Sequence, residues 1–324
     1  MTDNAGLLYG WILDGKGSGK QLGWDEIDLW TPEQGVLWIH LEYSDSYVHD
    51  WLLNKSGLDD VTAEALLADE TRPRSILNAS GLLLTLRGMN PNPDANPEDM
   101  VAVRLWSDGN RIITTRRRKL QTTSEISDLL DKGKGPFNAG EFVEMLTDRM
   151  VVRMSDEIEQ ISDNVDDLEE MVLTMESYEL RPKIAELRRN AIGLRRYLAP
   201  QREAVSRLYG EKVDWLSDMD RSRLRESADR TTRYIEDLDL ARERAVVVQE
   251  ELSSRLSEKM DRTMYVLSIV AAIFLPLGFL TGLLGINVGG VPGTDFKGSF
   301  LIFCLLLVIV LIVQVWFFKR KKWM

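Results

Sequence analysis

The sequence predicts an α+β domain with a mixed sheet, followed by a long helical stalk and two C-terminal transmembrane helices. Three observations predict this class. Short apolar segments separated by turn residues fill the N-terminal part, apolar residues at helical spacing fill the middle, and two long uncharged apolar runs stand near the C-terminus. We predict these segments: 1–135, an α/β domain; 136–262, a helical bundle and stalk helix; 263–287, a first membrane span; 288–299, a loop; 300–318, a second span; and 319–324, a basic tail.

The N-terminal segments that predict strands are apolar and aromatic, and turn residues follow them. They are LLYGWILDG, GVLWIHLEY, GLLLTLRGM and MVAVRLWSDGNRIITTRRR. The last segment predicts a hairpin, with Val101–Trp106 and Arg111–Thr115 joined through the turn SDGN. Between these segments LDDVTAEALLADE has helical spacing, and NPNPDANPEDM is typical of a loop. This mixture predicts an α/β domain with a mixed sheet.

Residues 140–262 predict helices almost throughout, because apolar residues recur mostly at spacings of three and four. One helix is expected to begin near Pro182, since proline is tolerated in a first helical turn. No Gly or Pro stands between Gly210 and the first apolar run, which predicts one continuous helix from near Val213 into the membrane. At 1.5 Å per residue, roughly 70 residues give a rod on the order of 100 Å. Its charges of both signs are typical of a solvated bundle, and its continuity with a span would let it transmit movement.

Two apolar runs, Thr263–Leu284 and Phe300–Phe318, are uncharged, and each has about the length that a bilayer requires. The alternative is a pair of buried helices, but soluble cores seldom hold two such runs back to back. Positive charge flanks the outer ends of both runs, at Lys259 and Arg262 and in the tail KRKK, whereas the loop holds a single acid, Asp295, and a single base. The positive-inside rule therefore predicts that both termini and the α+β domain lie in the cytoplasm. A multi-pass protein of the cell inner membrane is expected.

Composition argues against several classes of function. The 324 residues carry a formal charge of −11, which disfavours nucleic acid as the main partner because phosphate contacts need clustered Lys and Arg. An acidic chain attracts cations and therefore favours them as partners. The single cysteine, Cys304, and the two histidines, His40 and His49, exclude an intrachain disulfide and a Cys/His zinc site. No spacing of Ser, His and acids indicates nucleophilic catalysis, so we expect neither an enzyme nor a cofactor.

Three motifs have both a functional and a structural interpretation. DGKGSGK resembles a phosphate-binding loop, but Asp14 and Gln21 replace the first Gly and the Ser or Thr of that motif, so a turn between strands is favoured. His40 and Glu42 can contact a metal, but two ligands on a strand do not complete a site, and His40 is expected to be structural. The acidic run Asp156–Glu170 either attracts divalent cations weakly or forms a solvated helix face.

The first span has a seam formed by its least bulky side. Spacings of three and four alternate along Asp261, Met264, Ser268, Ala271, Leu275, Gly278 and Gly282, which places them on one helix face. Small residues at this spacing allow helices to pack closely. Alternatively, symmetric copies of the chain surround an axis and the seam faces a channel, because one span cannot enclose a pore. The seam by itself leaves both interpretations open.

The end of the first span adds a motif. Gly285-Ile286-Asn287, followed by a short loop, a final span and a basic tail, resembles the two-span metal-transporter superfamily typified by the CorA magnesium channel. Most of that group has Gly-Met-Asn there, and the Ile within FLTGLLGINVGGVPG is similar to the ZntB zinc-transporter branch. EALLADETRPR, NPEDMVAVRLW and LRRYLAPQREAVSRL resemble it as well, so the resemblance extends over nearly the whole chain.

The resemblance implies a homopentamer with a cytoplasmic funnel, in which the long helix lines the funnel and the pore and the second span forms an outer ring. Gly285, Ile286 and Asn287 would form the outer mouth, where a ring of Asn side chains meets the hydrated cation. Asp295 would concentrate cations at this mouth, and Asp261 would place carboxylates at the cytoplasmic end unless it pairs with Lys or Arg. The branch implies uptake of zinc and related divalent ions, with proton coupling proposed.

The residue chemistry leaves the transported ion open. A neutral Asn amide can hydrogen-bond to the bound water of a metal, and weak binding allows conduction, but this does not select zinc over magnesium. A magnesium or cobalt channel of the same fold is therefore the nearest alternative to zinc uptake. A membrane-anchored sensor or scaffold without flux is the alternative of another class. For proton coupling the candidate carriers are Asp295, Asp261 and carboxylates of the funnel, because neither span has an internal ionisable residue except Cys304.

Overall fold

The computed structural model describes residues 5–69, 72–92, 95, 99–174, 178–285, 293 and 296–321. The chain divides into two compact units, Met1–Gln249 and Glu250–Met324. The division falls within one long helix, Asp218–Leu284, which therefore belongs to both units.

The first unit is built on a mixed sheet, as the sequence predicts. Within the described residues its strands are β1 Leu7–Leu13, β2 Gly19–Gln21, β3 Val36–Glu42, β4 Arg74–Asn78, β5 Gly81–Gly88, β6 Val101–Ser107 and β7 Arg111–Arg116. They lie in the order β2-β1-β3-β7-β6-β5-β4. Strands β3 and β7 are parallel and the other neighbouring pairs are antiparallel. Consequently β3, β7 and β5 all end at the same edge of the sheet.

The helices confirm the predicted helical middle of the chain and its two C-terminal spans. Their bounds are α1 Trp24–Ile27, α2 Ser46–Asn54, α3 Asp60–Leu67, α4 Gln121–Asp131, α5 Ala139–Val152, α6 Ser155–Thr174, α7 Leu180–Gly210, α8 Asp218–Leu284 and α9 Ser299–Arg320. A short 3-10 helix, Pro32–Gln34, precedes β3.

Helices cover both faces of the sheet because alternate residues of each strand point to opposite sides. Leu82, Leu84 and Leu86 of β5 lie in one core, together with residues of α4, α5, α7 and the start of α8. Leu83 lies in a second core with residues of α1, α2 and α3. Since burying one aliphatic side chain stabilises the fold by roughly 1.5–3 kcal/mol, a shift of register by one residue would be strongly unfavourable.

The turn between β6 and β7 confirms the predicted hairpin. Asp108 accepts hydrogen bonds at Oδ1 from the main-chain N–H groups of Asn110 (2.9 Å) and Arg111 (2.7 Å). Gly109 has a φ of +96°, and a Cβ added there would lie 2.4 Å from Cδ1 of Trp215. Both the backbone conformation and the neighbouring indole therefore require glycine at this position.

The DGKGSGK segment is a turn between β1 and β2, in agreement with the structural interpretation. Oδ1 of Asp14 accepts hydrogen bonds from the N–H groups of Lys16 (2.7 Å) and Ser18 (3.0 Å). The carboxylate of Asp14 thus accepts hydrogen bonds from main-chain N–H groups that, in a phosphate-binding loop, would point at the bound phosphate.

Helix α8 begins at Asp218 rather than near Val213. The N–H of Ser217 donates to Oδ2 of Asp220 (3.0 Å), and the N–H of Asp220 donates to Oγ of Ser217 (3.2 Å). This reciprocal cap fixes the start of the helix. Val213 and Leu216, which precede the cap, are buried in the first core.

The second unit contains the C-terminal part of α8 and helix α9. Each of these helices holds an apolar stretch long enough to cross a membrane. Neither stretch is buried within the protein. A core helix of a soluble protein would be mostly buried, so the alternative of two buried core helices is not supported.

Candidate ion pathway

The candidate pathway is the seam of α8 from Asp261 to Gly282. The structure exposes every residue of the seam in the single chain: Asp261, Met264, Ser268, Ala271, Leu275, Gly278 and Gly282. Met264 is 60% exposed and Leu275 is 74% exposed. Apolar side chains exposed to this extent along one face need cover from lipid or from another chain.

The seam lies almost opposite the better-covered face of α8. The partly covered residues of the apolar stretch are Ile269, Ile273, Pro276, Leu277 and Leu280. At about 100° per residue, this face points roughly 150° away from the seam. Helix α9 has its own partly covered face, which includes Phe303, Cys304, Leu307, Val310 and Gln314. The seam is therefore the face of this stretch of α8 that lies opposite its better-covered residues.

The polar groups of the seam are few and uncharged above Asp261. Oγ of Ser268 donates a hydrogen bond to the carbonyl oxygen of Met264 at 2.8 Å. The hydroxyl proton therefore takes part in a hydrogen bond within the helix. The lone pairs of the oxygen remain available to accept a hydrogen bond from a hydrated ion. Between Met264 and Gly282 the seam can act on a cation through dipoles and bound water, not through charge.

Among the described residues, nothing packs against the glycines of the seam. A Cβ added at Gly278 or at Gly282 would meet no atom within 4 Å. Gly285 differs, because its N–H donates to the carbonyl oxygen of Thr281 at 2.9 Å and an added Cβ would lie 2.9 Å from that same oxygen. Glycine at position 285 thus lets α8, which ends at Leu284, close its last turn without a clash.

The remaining residues of the expected outer mouth, Ile286 and Asn287, lie outside the described residues, and so does the loop acid Asp295. Their roles stay predictions.

The buried histidine has a structural environment. His40 is fully buried, its Nδ1 lies 2.8 Å from Oγ1 of Thr114, and its ring stacks on Tyr9. Burial, followed by the charge of Arg116, lowers the pKa of His40 to about 3, so the ring is neutral near pH 7. Within the described ranges, no group of three or more His, Cys, Asp or Glu is arranged to hold a metal ion.

The acidic run of α6 forms ion pairs with α8. Arg244 contacts both Asp166 and Glu169, which belong to that run. Its hydrogen bonds lower the pKa of Glu169, and the same bonds raise the pKa of Arg244. This arrangement favours a solvated, ion-paired helix face over a cation site.

The structure also forms a cavity that sequence patterns did not reveal. Arginines from several separate elements of the first unit line it. No local spacing marks such a set, and the run Arg116–Arg118 at the end of β7 is the one local signal in the sequence.

Comparisons with known proteins agree with this architecture. The family model described as CorA-like Mg2+ transporter protein matches residues 33–320. The divalent cation transporter CmaX of Pseudomonas aeruginosa is 41% identical over 330 residues, which cover 99% of this chain and 98% of that protein. The zinc transport protein ZntB of Yersinia enterocolitica is 37% identical over 317 residues, with 98% and 96% covered. The solved structure of full-length CmaX has a TM-score of 0.86 and 40% identity, and 99% of each chain is covered.

A sheet domain and two helices with exposed apolar stretches, one of them 67 residues long, give the architecture of a two-span membrane protein with a long stalk helix. The chain belongs to the CorA-like Mg2+ transporter family, because the family model matches most of its length. It is a divalent cation transporter of the CorA and ZntB type, and the proteins similar to it are named as transporters rather than enzymes. The family expected from Gly285-Ile286-Asn287 is confirmed. The names of the relatives divide between divalent cations in general and zinc in particular.

Proposed function

We propose that this protein carries zinc into the cell through the central pore of a homopentamer in the inner membrane. The observation that carries the proposal is the exposed seam of α8, which runs the length of the span opposite the better-covered face of the helix. In a ring of copies the seam would face the central axis, where Met264 and Leu275 would meet their counterparts from the other copies and Gly278 and Gly282 would leave open space. A ring is required because one span cannot enclose a pore.

In this assembly we assign a role to each residue of the seam. Asp261 places carboxylates at the cytoplasmic end, which attract cations. Met264 and Leu275 are the bulky members and form the narrowest points, whereas Ser268, Ala271, Gly278 and Gly282 leave room for a hydrated ion. Gly285, Ile286 and Asn287 form the outer mouth, where the amide oxygens of Asn287 bind the ion's water, and Asp295 raises the local cation concentration. Helix α9 forms the outer ring, and the positive-inside rule supports cytoplasmic termini.

Zinc is supported by the name of the 37% identical ZntB relative and by Ile286 in place of the more common Met. Magnesium is the second candidate, and the description of the matching family model supports it. The seam has no Cys or His, and such a set of weak oxygen donors suits either ion. A sensor or scaffold without flux is the third candidate, and the relatives named as transporters disfavour it.

Flux through reconstituted protein tests the proposal. We expect liposomes containing the protein to take up labelled zinc, and Asn287→Ala to reduce uptake by about tenfold, since it removes one charge-assisted contact per subunit. The control is Asn54→Ala at an exposed position on α2. Equal uptake by the two variants would remove Asn287 from the pathway.

Competition distinguishes the ions. Zinc uptake that persists in a large excess of magnesium supports zinc, whereas uptake abolished by magnesium supports the magnesium alternative. Absence of flux for every divalent cation, from protein shown to be folded, would favour the sensor or scaffold. The same liposomes with and without a pH gradient test proton coupling.

A further inference from the structure

An arginine-lined cavity of about 610 Å³ opens in the first unit, at the sheet edge where β3, β7 and β5 end. Its charged lining consists of Arg72, Arg87, Arg104, Arg117, Arg118 and Arg196 against Asp69 and Asp99. The arginines exceed the aspartates by four charges among these residues. In a chain whose formal charge is −11, such a concentration of positive charge indicates a ligand of opposite sign.

Arg104 shows that the site is built into the fold. This side chain is 1% exposed, and its Nη2 donates to the carbonyl oxygens of Ala68 and Asp69, the latter at 3.1 Å. Its Nε has no hydrogen-bond partner among the described residues. Burial lowers the pKa of Arg104, which means that the fold holds this cation at a desolvation cost. An anion bound in the cavity would offset that cost.

Two further arginines are held around one aromatic ring. The guanidinium carbons of Arg87 and Arg196 lie 4.3 Å and 4.7 Å from the centre of the Tyr197 ring. Nη1 of Arg87 also donates to the carbonyl oxygen of Met100 at 2.8 Å. After burial, the charge of Arg87 also lowers the pKa of Arg104, so an anion bound among these arginines would relieve their mutual repulsion.

The rim of the cavity offers donors that have no partner among the described residues. Arg72 and Arg118 are exposed and have neither a hydrogen bond nor an ion pair within the described part of the chain. Arg117 is different, because it pairs with Asp69 at 3.1 Å. Glu70 and Glu98, which adjoin the site in the sequence, lie outside the described residues.

We propose that this cavity binds an anion that carries two or more phosphate groups. The planar fork of a guanidinium matches phosphate oxygens with two parallel hydrogen bonds. Some donors of the six guanidiniums are already used within the fold, but the excess of four positive charges is more than a single phosphate balances. The volume of the cavity falls within the range of about 300–1,000 Å³ typical of small-molecule sites. A soluble polyphosphorylated molecule and a polyphosphorylated lipid headgroup share this chemistry.

Calorimetric titration of the full-length protein in detergent, with inorganic tripolyphosphate as the probe, tests the proposal. A chelator keeps divalent cations out, so that metal binding by the probe does not contribute. We expect saturable binding that Arg72→Gln combined with Arg118→Gln weakens by about tenfold or more, because two charge-assisted contacts are lost. The matched control is Arg189→Gln combined with Arg225→Gln, which removes two exposed arginines outside the cavity.

Arg104→Gln should abolish binding, and its thermal unfolding is measured in parallel. If that variant does not fold, the rim variant still decides the outcome. No binding of tripolyphosphate by the wild type, or equal binding by the rim and control variants, would overturn the proposal. Titration with ADP tests for a soluble polyphosphorylated molecule, and binding to vesicles that contain a polyphosphorylated lipid tests for a lipid headgroup. Binding is measured without flux, so this result does not depend on the proposed transport.

Discussion

Arg244 of α8 holds Glu169 of α6 at two points. Nε of the guanidinium donates to one carboxylate oxygen at 2.8 Å, and Nη2 donates to the other at 2.7 Å. The two residues are far apart in the sequence, so this pair is a product of the fold. It joins the acidic run of α6 to the stalk helix within the first unit.

Arg244→Gln should lower the free energy of unfolding by at most about 1 kcal/mol, because both side chains are partly exposed and solvent screens the pair. The pKa of Glu169 is lowered in the folded state from its ordinary value of 4.5, so the stabilisation is present above that value and is lost as the pH falls through the folded pKa. Thermal unfolding of the wild type and the variant should therefore differ near pH 7 and converge in acid. A difference that is the same at both pH values would contradict the ion-pair account.

His40→Gln should weaken the acid sensitivity of the protein. The pKa of His40 is lowered from 6.5 to about 3 in the fold, so below pH 6.5 the unfolded chain binds a proton that the folded chain refuses. Stability then falls as the pH decreases from 6.5 towards 3, by about 2 kcal/mol at pH 5. Unfolding measured across this range should show a shallower slope for the variant. An unchanged slope would show that His40 is not the titrating group.

Gly109→Ala should destabilise the protein by roughly 1–3 kcal/mol, because it places a side chain at positive φ and against the indole of Trp215. Gly133→Ala is the matched control, since Gly133 has a φ of +70° but a Cβ there would meet nothing within 4 Å. Chemical unfolding of both variants separates the backbone cost from the clash. Equal losses would show that Trp215 moves aside without cost.

Ala271→Leu should reduce metal flux, because it adds bulk to the seam proposed to face the pore. Ala272→Leu makes the same change on the next residue, about 100° around the helix, and should leave more of the flux intact. Both alanines are exposed in the single chain, so neither change disturbs a packed core. Uptake is compared at equal amounts of reconstituted protein and equal oligomer size. Equal inhibition by both changes would favour helix packing over a pore as the role of the seam.

Much of the architecture was predictable from local patterns. The β6–β7 hairpin, the long α8 and the two exposed apolar helices follow from alternation, from the absence of breakers and from uncharged length. The short strands β2 and β4 were not predicted, because three to five residues carry too little pattern to mark a strand. The sequence predicts the start of α8 too early, because the spacing of apolar residues does not reveal the hydrogen-bonded cap formed by Ser217 and Asp220.

The sequence by itself determined the properties that depend on neighbouring residues. It specified where the chain is apolar enough to enter a bilayer, where flanking charge orients it, and which residues of the first span share one face. Only the tertiary structure decided properties that depend on residues far apart in the chain. It buried His40 against Thr114, left the seam exposed in the single chain, and brought Arg87, Arg104 and Arg196 to one cavity. The physical reason is that a helical or strand period is written in the spacing of residues, whereas a contact between separate elements exists only after those elements have packed.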